Sequence, residues 1–162
     1  MWGEGGAAEE SVAEALGKHC PSVFVLSDRR MPGNRGNIDH IAVTANGVWV
    51  IDTKNHQGKV EVRTPLFGTA KLLIRGRDWS GLADGLGKQV AAVRAFIDED
   101  VPVHGALCFV RADLPLIGTL KFRGYTLLYR KKLAKRLNAD GPLASERVRE
   151  LAAALAKSFP SA

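Results

Sequence analysis

Asp39, Asp52 and Lys54 are the residues of this chain whose types and spacing suggest chemistry. They lie in NIDHIAVT (37–44) and GVWVIDTK (47–54), two β-branched runs joined by Ala45-Asn46-Gly47. Asn-Gly between such runs is a strong hairpin signal, since both turn positions take positive φ. With Asn46-Gly47 as a two-residue loop, Ala45 pairs with Val48, Val43 with Val50, Ile41 with Asp52, and Asp39 with Lys54. Strand period two sets these side chains on one face, and Ile38, His40, Ala42, Trp49, Ile51 and Thr53 on the other. Asp39 is then opposite Lys54 and diagonal to Asp52, within roughly 5–8 Å. Burying that charge is costly unless it is paired or holds a cation. Two acids spaced to share one divalent ion, beside a lysine, suit phosphodiester hydrolysis. Carboxylates and a backbone carbonyl supply oxygen ligands to magnesium, the ion polarises the phosphate and acidifies a water, and the lysine orients or deprotonates that water. The plainer alternative is a structural ion pair between Lys54 and either acid on a half-exposed edge.

The surrounding pattern predicts the elements that hold these residues. Residues 7–18 (AAEESVAEALGK) read as a helix, with Glu9, Val12, Ala13 and Leu16 on one stripe. VFVLSD (23–28) reads as a strand and RRMPGNRGN (29–37) as a loop. KVEVR (59–63) and residues 70–75 predict a further hairpin of the sheet, and residues 82–97 a helix weakened by Gly85 and Gly87. VHGALCFV (103–110) has the length and apolarity of a central strand. RGYTLLY is a last strand, followed by the helices RKKLAKRL and SERVRELAAALAKSF, the second capped by Ser145. No repeat and no linker divides the chain, so residues 1–162 are expected to form one domain with 129–162 as C-terminal helices. The order points to an α/β fold, a mixed β-sheet flanked by helices.

Composition narrows the setting. The chain has 162 residues, 23 Lys+Arg against 17 Asp+Glu, a formal charge of +6 and 46% hydrophobic residues, which is globular and mildly suited to a polyanionic partner. No apolar run approaches a membrane span, and MWGEGGAAEE is unlike a signal peptide, so a cytoplasmic protein is expected. Cys20 and Cys108 read as buried free thiols, with no zinc spacing around them. Residues 121–136 carry seven cations and no acid; they are either a DNA-facing surface or the polar face of a helix with Leu133 and Leu137 inward.

The stretch GNIDHIAVTANGVWVIDTKNHQGKVEV (36–62) resembles the nuclease-related domain, NERD, a branch of the PD-(D/E)xK restriction-endonuclease-like superfamily. Asp39 matches that family's isolated Asp, and Asp52-Thr53-Lys54 its (D/E)xK. GAAEESVAEAL (6–16) looks like the opening helix, whose glutamate corresponds to Glu9, and DWSGLADGLGKQVAAVRAFI (78–97) like the segment supplying a glutamine, here Gln89. The resemblance implies a restriction-endonuclease-like fold and a nuclease acting on DNA with Mg2+ or Mn2+. It assigns metal binding to Asp39, Asp52 and the Thr53 carbonyl, completed by Glu9. Lys54 would position or activate water, and Gln89 would orient Lys54 or a phosphate. Asp52 stands where Glu is frequent, and its shorter reach alters the metal distance.

Arg29, Arg30 and Arg35, in the loop entering Asp39, are placed for phosphate contact, and His56 and Lys88 lie near the substrate side. Trp79 reads either as a base-stacking or as a packing residue, and His40 as packed. GLGKQ (85–89) lacks phosphate-loop spacing, and no GxSxG is present. The alternative to a nuclease is a catalytically silent nucleic-acid-binding module in a DNA-processing assembly. Double-strand cleavage by a one-site domain argues for a homodimer.

Overall fold

The computed structural model describes residues 11–33 and 36–162. Its elements are α1 (Val12–His19), β1 (Phe24–Arg30), β2 (Asn37–Thr44), β3 (Gly47–Lys54), β4 (Gly58–Arg63), β5 (Lys71–Ile74) and β6 (Arg77–Asp78). They continue with α2 (Gly81–Arg94), β7 (Val103–Phe109), β8 (Ala112–Asp113), β9 (Leu120–Phe122), β10 (Tyr125–Leu128), α3 (Arg130–Leu137) and α4 (Ser145–Ser158). Among the described residues the strands make two sheets, ordered β1-β2-β3-β7-β10-β9 and β6-β5-β4-β8. In the first, β3, β7 and β10 run parallel while β1 and β2 run antiparallel to their neighbours. The strand β7 is central, as its continuous apolar run predicts, with Gly105–Phe109 buried.

Strand alternation divides the core. Ile41, Val43, Val48, Val50, Leu107 and Phe109 pack against α2 and α4 on one face. Ala42, Trp49, Ile51, Ala106 and Cys108 pack against Val12 and Leu16 of α1 and Leu133 and Leu137 of α3 on the other. Each fully buried aliphatic side chain contributes about 1.5–3 kcal/mol. The inward Leu133 and Leu137 leave Lys131 and Lys135 of α3 exposed, while Arg130 is buried.

The hairpin at the head of the site differs from expectation. The pairs are Thr44↔Gly47, Val43↔Val48, Ile41↔Val50 and His40↔Ile51, so the turn is Ala45-Asn46. In this turn Gly47 takes positive φ (135°) and Asn46 does not. The reason is tertiary. Asn46 accepts the Trp49 Nε1–H at 2.7 Å, and its Nδ2 donates to the Arg136 carbonyl at 2.9 Å and the Ala139 carbonyl at 3.0 Å. An anchor bonded on both sides overrides the local preference of Asn-Gly. Asn46→Ala leaves those groups without partners and is expected to cost about 2–4 kcal/mol; urea unfolding followed by Trp fluorescence measures it.

Other elements also shift. α1 is described from Val12, with Ser11 extended and accepting the Glu14 backbone N–H at 3.1 Å, and residues 7–10 of the expected helix lie outside the described residues. The 59–63 and 70–75 hairpin is formed as β4 and β5, but belongs to the second sheet rather than the first. Ser145 is the first residue of α4, not its cap; Ala144 holds the cap position without a side-chain bond. β1 runs through Arg29 and Arg30, where a loop was expected, because the C-terminal residues lie along it. The Arg30 N–H donates to the Pro160 carbonyl at 2.8 Å, the Ala162 N–H to the Asp28 carbonyl at 2.9 Å, and Arg29 bridges Ser161.

Candidate active site

The register that moves the turn also rearranges the site. Continued one step past His40↔Ile51, it sets Asp39 across from Asp52, not from Lys54. The two carboxylates are therefore direct cross-strand neighbours at the carboxyl ends of β3 and β7, where α/β sheets place their ligands. The side chain of Asp39 accepts the Thr53 backbone N–H at 2.9 Å, which fixes the acid against the next strand. Lys54 Nζ stands 3.1 Å from Asp52 Oδ2, so the lysine pairs with the acid two residues back on its own strand.

Asp52 is 8% exposed. Burial, and then its hydrogen bond with Asp39, raise its pKa from 3.8 to about 6 against the opposing pull of Lys54. Two acids sharing one hydrogen-bonded contact, with one lysine, leave a site short of positive charge. A divalent ion fits that deficit. Magnesium keeps several waters and takes one or two carboxylates plus substrate phosphate, so Asp39 and Asp52 suffice to begin a site. Among the described residues no group of three or more His, Cys, Asp or Glu is gathered for a metal.

Polar groups around the pair reinforce this. Thr53 Oγ1, His56 Nδ1 and Gln89 Oε1 are buried with no hydrogen-bond partner. Gln89 sits on α2, which packs against β3 and β7 over the site's face. His56 makes an edge contact with Trp79 at 4.4 Å between ring centroids; burial and then Lys54 lower its pKa, so it is neutral near pH 7. Trp79 is partly buried and packs against the core, with Arg77 over its ring at 5.1 Å, which favours its packing role. On the other side of Asp39 a cavity of about 510 Å3 opens between the sheet and α1, lined by Asp28, Asp39, Thr53 and Asn55 and by Ser11–Ala13.

The structure thus brings together Asp39, Asp52, Thr53 and Lys54, sets His56 near Lys54, and carries Gln89 on the helix that packs against β3 and β7. Glu9 and Arg35 lie outside the described residues. Arg29 lies on β1 and not in a loop, and its Nη1 donates to the Phe159 carbonyl at 3.4 Å. Arg30 is exposed on that strand, and Lys88 is exposed on α2. His40 is buried and pairs with Ser27 Oγ at 2.9 Å, a packed residue whose pKa burial lowers. Cys20 and Cys108 are free and buried, and burial pushes the Cys108 thiol up to about 12, which makes it inert.

Asp28 is the cavity residue that sequence reasoning gave no role. It has φ 53° and, by the β1–β2 register, stands across from Asp39. A strand pattern gives no sign of left-handed backbone in a non-glycine residue, although Asp tolerates it better than most.

A mixed sheet flanked by helices, with an acid pair and a lysine at the carboxyl end of a hairpin strand, defines a restriction-endonuclease-like domain. The nuclease-related domain, NERD, matches residues 4–110, more than half of the chain. The chain belongs to that family. It is also similar to a solved structure, the crystal structure of a repair endonuclease from Pyrococcus abyssi. That likeness has a TM-score of 0.39 and 12% identity, over 85% of this chain and 50% of that one. The chain therefore spans about half the length of that protein. No curated protein matches it. Among the described residues no helix is long and apolar enough to cross a membrane.

Proposed function

We propose that this domain hydrolyses DNA phosphodiester bonds with the help of Mg2+ or Mn2+. The observation that carries the reading is the opposed pair Asp39–Asp52 with Lys54 Nζ 3.1 Å from Asp52. Asp39, Asp52 and the Thr53 carbonyl are the groups that would hold the ion, with Glu9 as a further ligand. When bound, the ion supplies charge stabilisation at the scissile phosphate and lowers the pKa of a water. Lys54, half-buried beside Asp52, orients that water and takes part in moving its proton. Gln89 Oε1, buried without a partner, is free to accept from Lys54 or the attacking water.

Thermal unfolding and cleavage together test this. Millimolar Mg2+ or Mn2+ is expected to raise the melting temperature, by about 2.7 kcal/mol of stability at one hundred times the dissociation constant. A panel of linear, branched, single- and double-stranded DNA is expected to be cut with metal and left intact in EDTA. Retained DNA binding with no metal response and no cleavage would instead identify a silent nucleic-acid-binding module.

A further inference from the structure

The chain contains a repeated surface device, although its sequence as a whole reads as free of repeats. Residues 65–72 (PLFGTAKL) and 115–122 (PLIGTLKF) share Pro, Leu, Gly, Thr and Lys at the same places, with apolar residues between. Each segment then reaches an Arg-Gly turn, Arg75-Gly76 and Arg123-Gly124. The backbones agree as well. Gly68 and Gly118 have φ 99° and 80°, both arginines have φ 53°, and both following glycines are positive. Such φ pairs are the primed turns of tight hairpins, and they close β5–β6 and β9–β10. The two copies bury the same position, Leu72 and Phe122. They also expose the same pair: Leu66 and Phe67 are 92% and 87% exposed, Leu116 and Ile117 89% and 92%.

Two independently placed loops thus hold large apolar pairs out in water on firmly anchored bases. Soluble surfaces rarely keep such tips without a partner. β4 and β8 are parallel, with Gly58↔Ala112 and Lys59↔Asp113, so the chain leaves both strands in the same direction, β8 at Asp113 and β4 four residues further on at Arg63. The surroundings are basic. Arg63 and Lys71 face each other at the base of the first loop. Lys121 follows the second, Lys132 Nζ donates to the Gly118 carbonyl at 2.6 Å, and Arg136 Nη2 to Thr119 Oγ1 at 3.3 Å. The acids near these bases are Glu61, Asp78 and Asp113, outnumbered by the cations.

Apolar tips ringed by cations complement a polyanion with an apolar interior. We infer that each of the two tips is a wedge that enters a DNA duplex between base steps while the flanking lysines and arginines hold its phosphates. Leu, Ile and Phe are the side chains used for such insertion, and they kink the duplex where they enter. β4 leaves the candidate site at Gly58 and reaches the first loop after Arg63, about 17 Å further at strand rise. The first wedge therefore grips DNA away from the bond being cut. This inference rests on the DNA-hydrolase reading and specifies how that substrate is held.

The test compares wild type with L66S/F67S, L116S/I117S and the fourfold variant. Ca2+ replaces Mg2+, and a labelled duplex carries 2-aminopurine at scanned positions. The substituted side chains are exposed, so unchanged melting temperatures confirm folding. Wild type is expected to raise 2-aminopurine fluorescence several-fold at discrete steps. Each paired variant is expected to lose one signal and about tenfold in affinity, and the fourfold variant about a hundredfold. Equal affinity and no fluorescence change across the set, with cleavage retained in Mg2+, overturns the wedge and leaves the nuclease reading standing. Tip-dependent sedimentation with phosphatidylserine vesicles, and no DNA binding or cleavage, overturns both. Loss of a dimer in the tip variants at unchanged DNA affinity assigns the tips to a second copy and overturns the wedge alone.

Discussion

Asp52→Asn is expected to lose cleavage by at least about a thousandfold and yet to be more stable than wild type above pH 6. The loss follows because Asn offers neutral ligands where the pair Asp39–Asp52 offers charge. The gain follows from linkage. The carboxyl of Asp52 has a folded pKa of about 6 against 3.8 unexposed to the fold, raised first by burial. Between those values the folded state holds a proton that the unfolded state has released, so stability falls as pH rises through the window. Above it, wild type carries a charge penalty on the order of 1–3 kcal/mol, and Asn removes it. Below pH 3.8 the two proteins should unfold alike. Melting curves from pH 3 to 8, beside a cleavage assay, check both halves. A variant no more stable than wild type at pH 8 would refute the buried-charge account.

Lys54→Ala is expected to reduce cleavage about 10²–10⁴-fold, with the opposite effect on stability. Lys54 is the group that pulls the Asp52 pKa down, through charge and hydrogen bond. Its removal leaves a buried carboxylate facing Asp39 with no cation, so the protein should lose about 1–3 kcal/mol at pH 8 and little at pH 4. Divalent ions then become the replacement counter-charge, and Mg2+ should raise the melting temperature of this variant more than that of wild type. A differential scanning titration with and without Mg2+ measures the difference. The contrast between the two variants separates a working acid–lysine pair from an ordinary ion pair, in which both substitutions would destabilise.

Much of the site was legible in the sequence because of an arithmetic property of strands. Moving the turn from Asn46-Gly47 to Ala45-Asn46 displaces each cross-strand partner by two positions, an even shift that leaves every side chain on its expected face. Asp39, Asp52 and Lys54 therefore still converge, although the partner of Asp39 changes from Lys54 to Asp52. The central strand was equally readable, from a continuous apolar run, and the helix carrying Gln89 less so, since Gly85 and Gly87 weaken its start. What stayed hidden depends on contacts distant in sequence. Nothing local to Asn46 announces that Arg136 and Ala139 will claim its side chain. Nothing local to Arg29 announces that residues near the C-terminus will draw it into β1. The separate placement of β4 and β5 likewise depends on β8, roughly fifty residues away.

The pairing of residues 160–162 along β1 has a consequence for assembly. An open outer strand beside the candidate site is a template on which a second copy could add its own strand. In this protein the chain's own Pro160, Ser161 and Ala162 already take that position, against Asp28, Arg29 and Arg30. A second copy of this domain that continued the sheet past β1 would have to displace residues 160–162 from Asp28–Arg30 or pair along the earlier part of the strand alone. The end of β1 beside Asp28, on the lip of the cavity next to Asp39, is thereby covered by the chain itself.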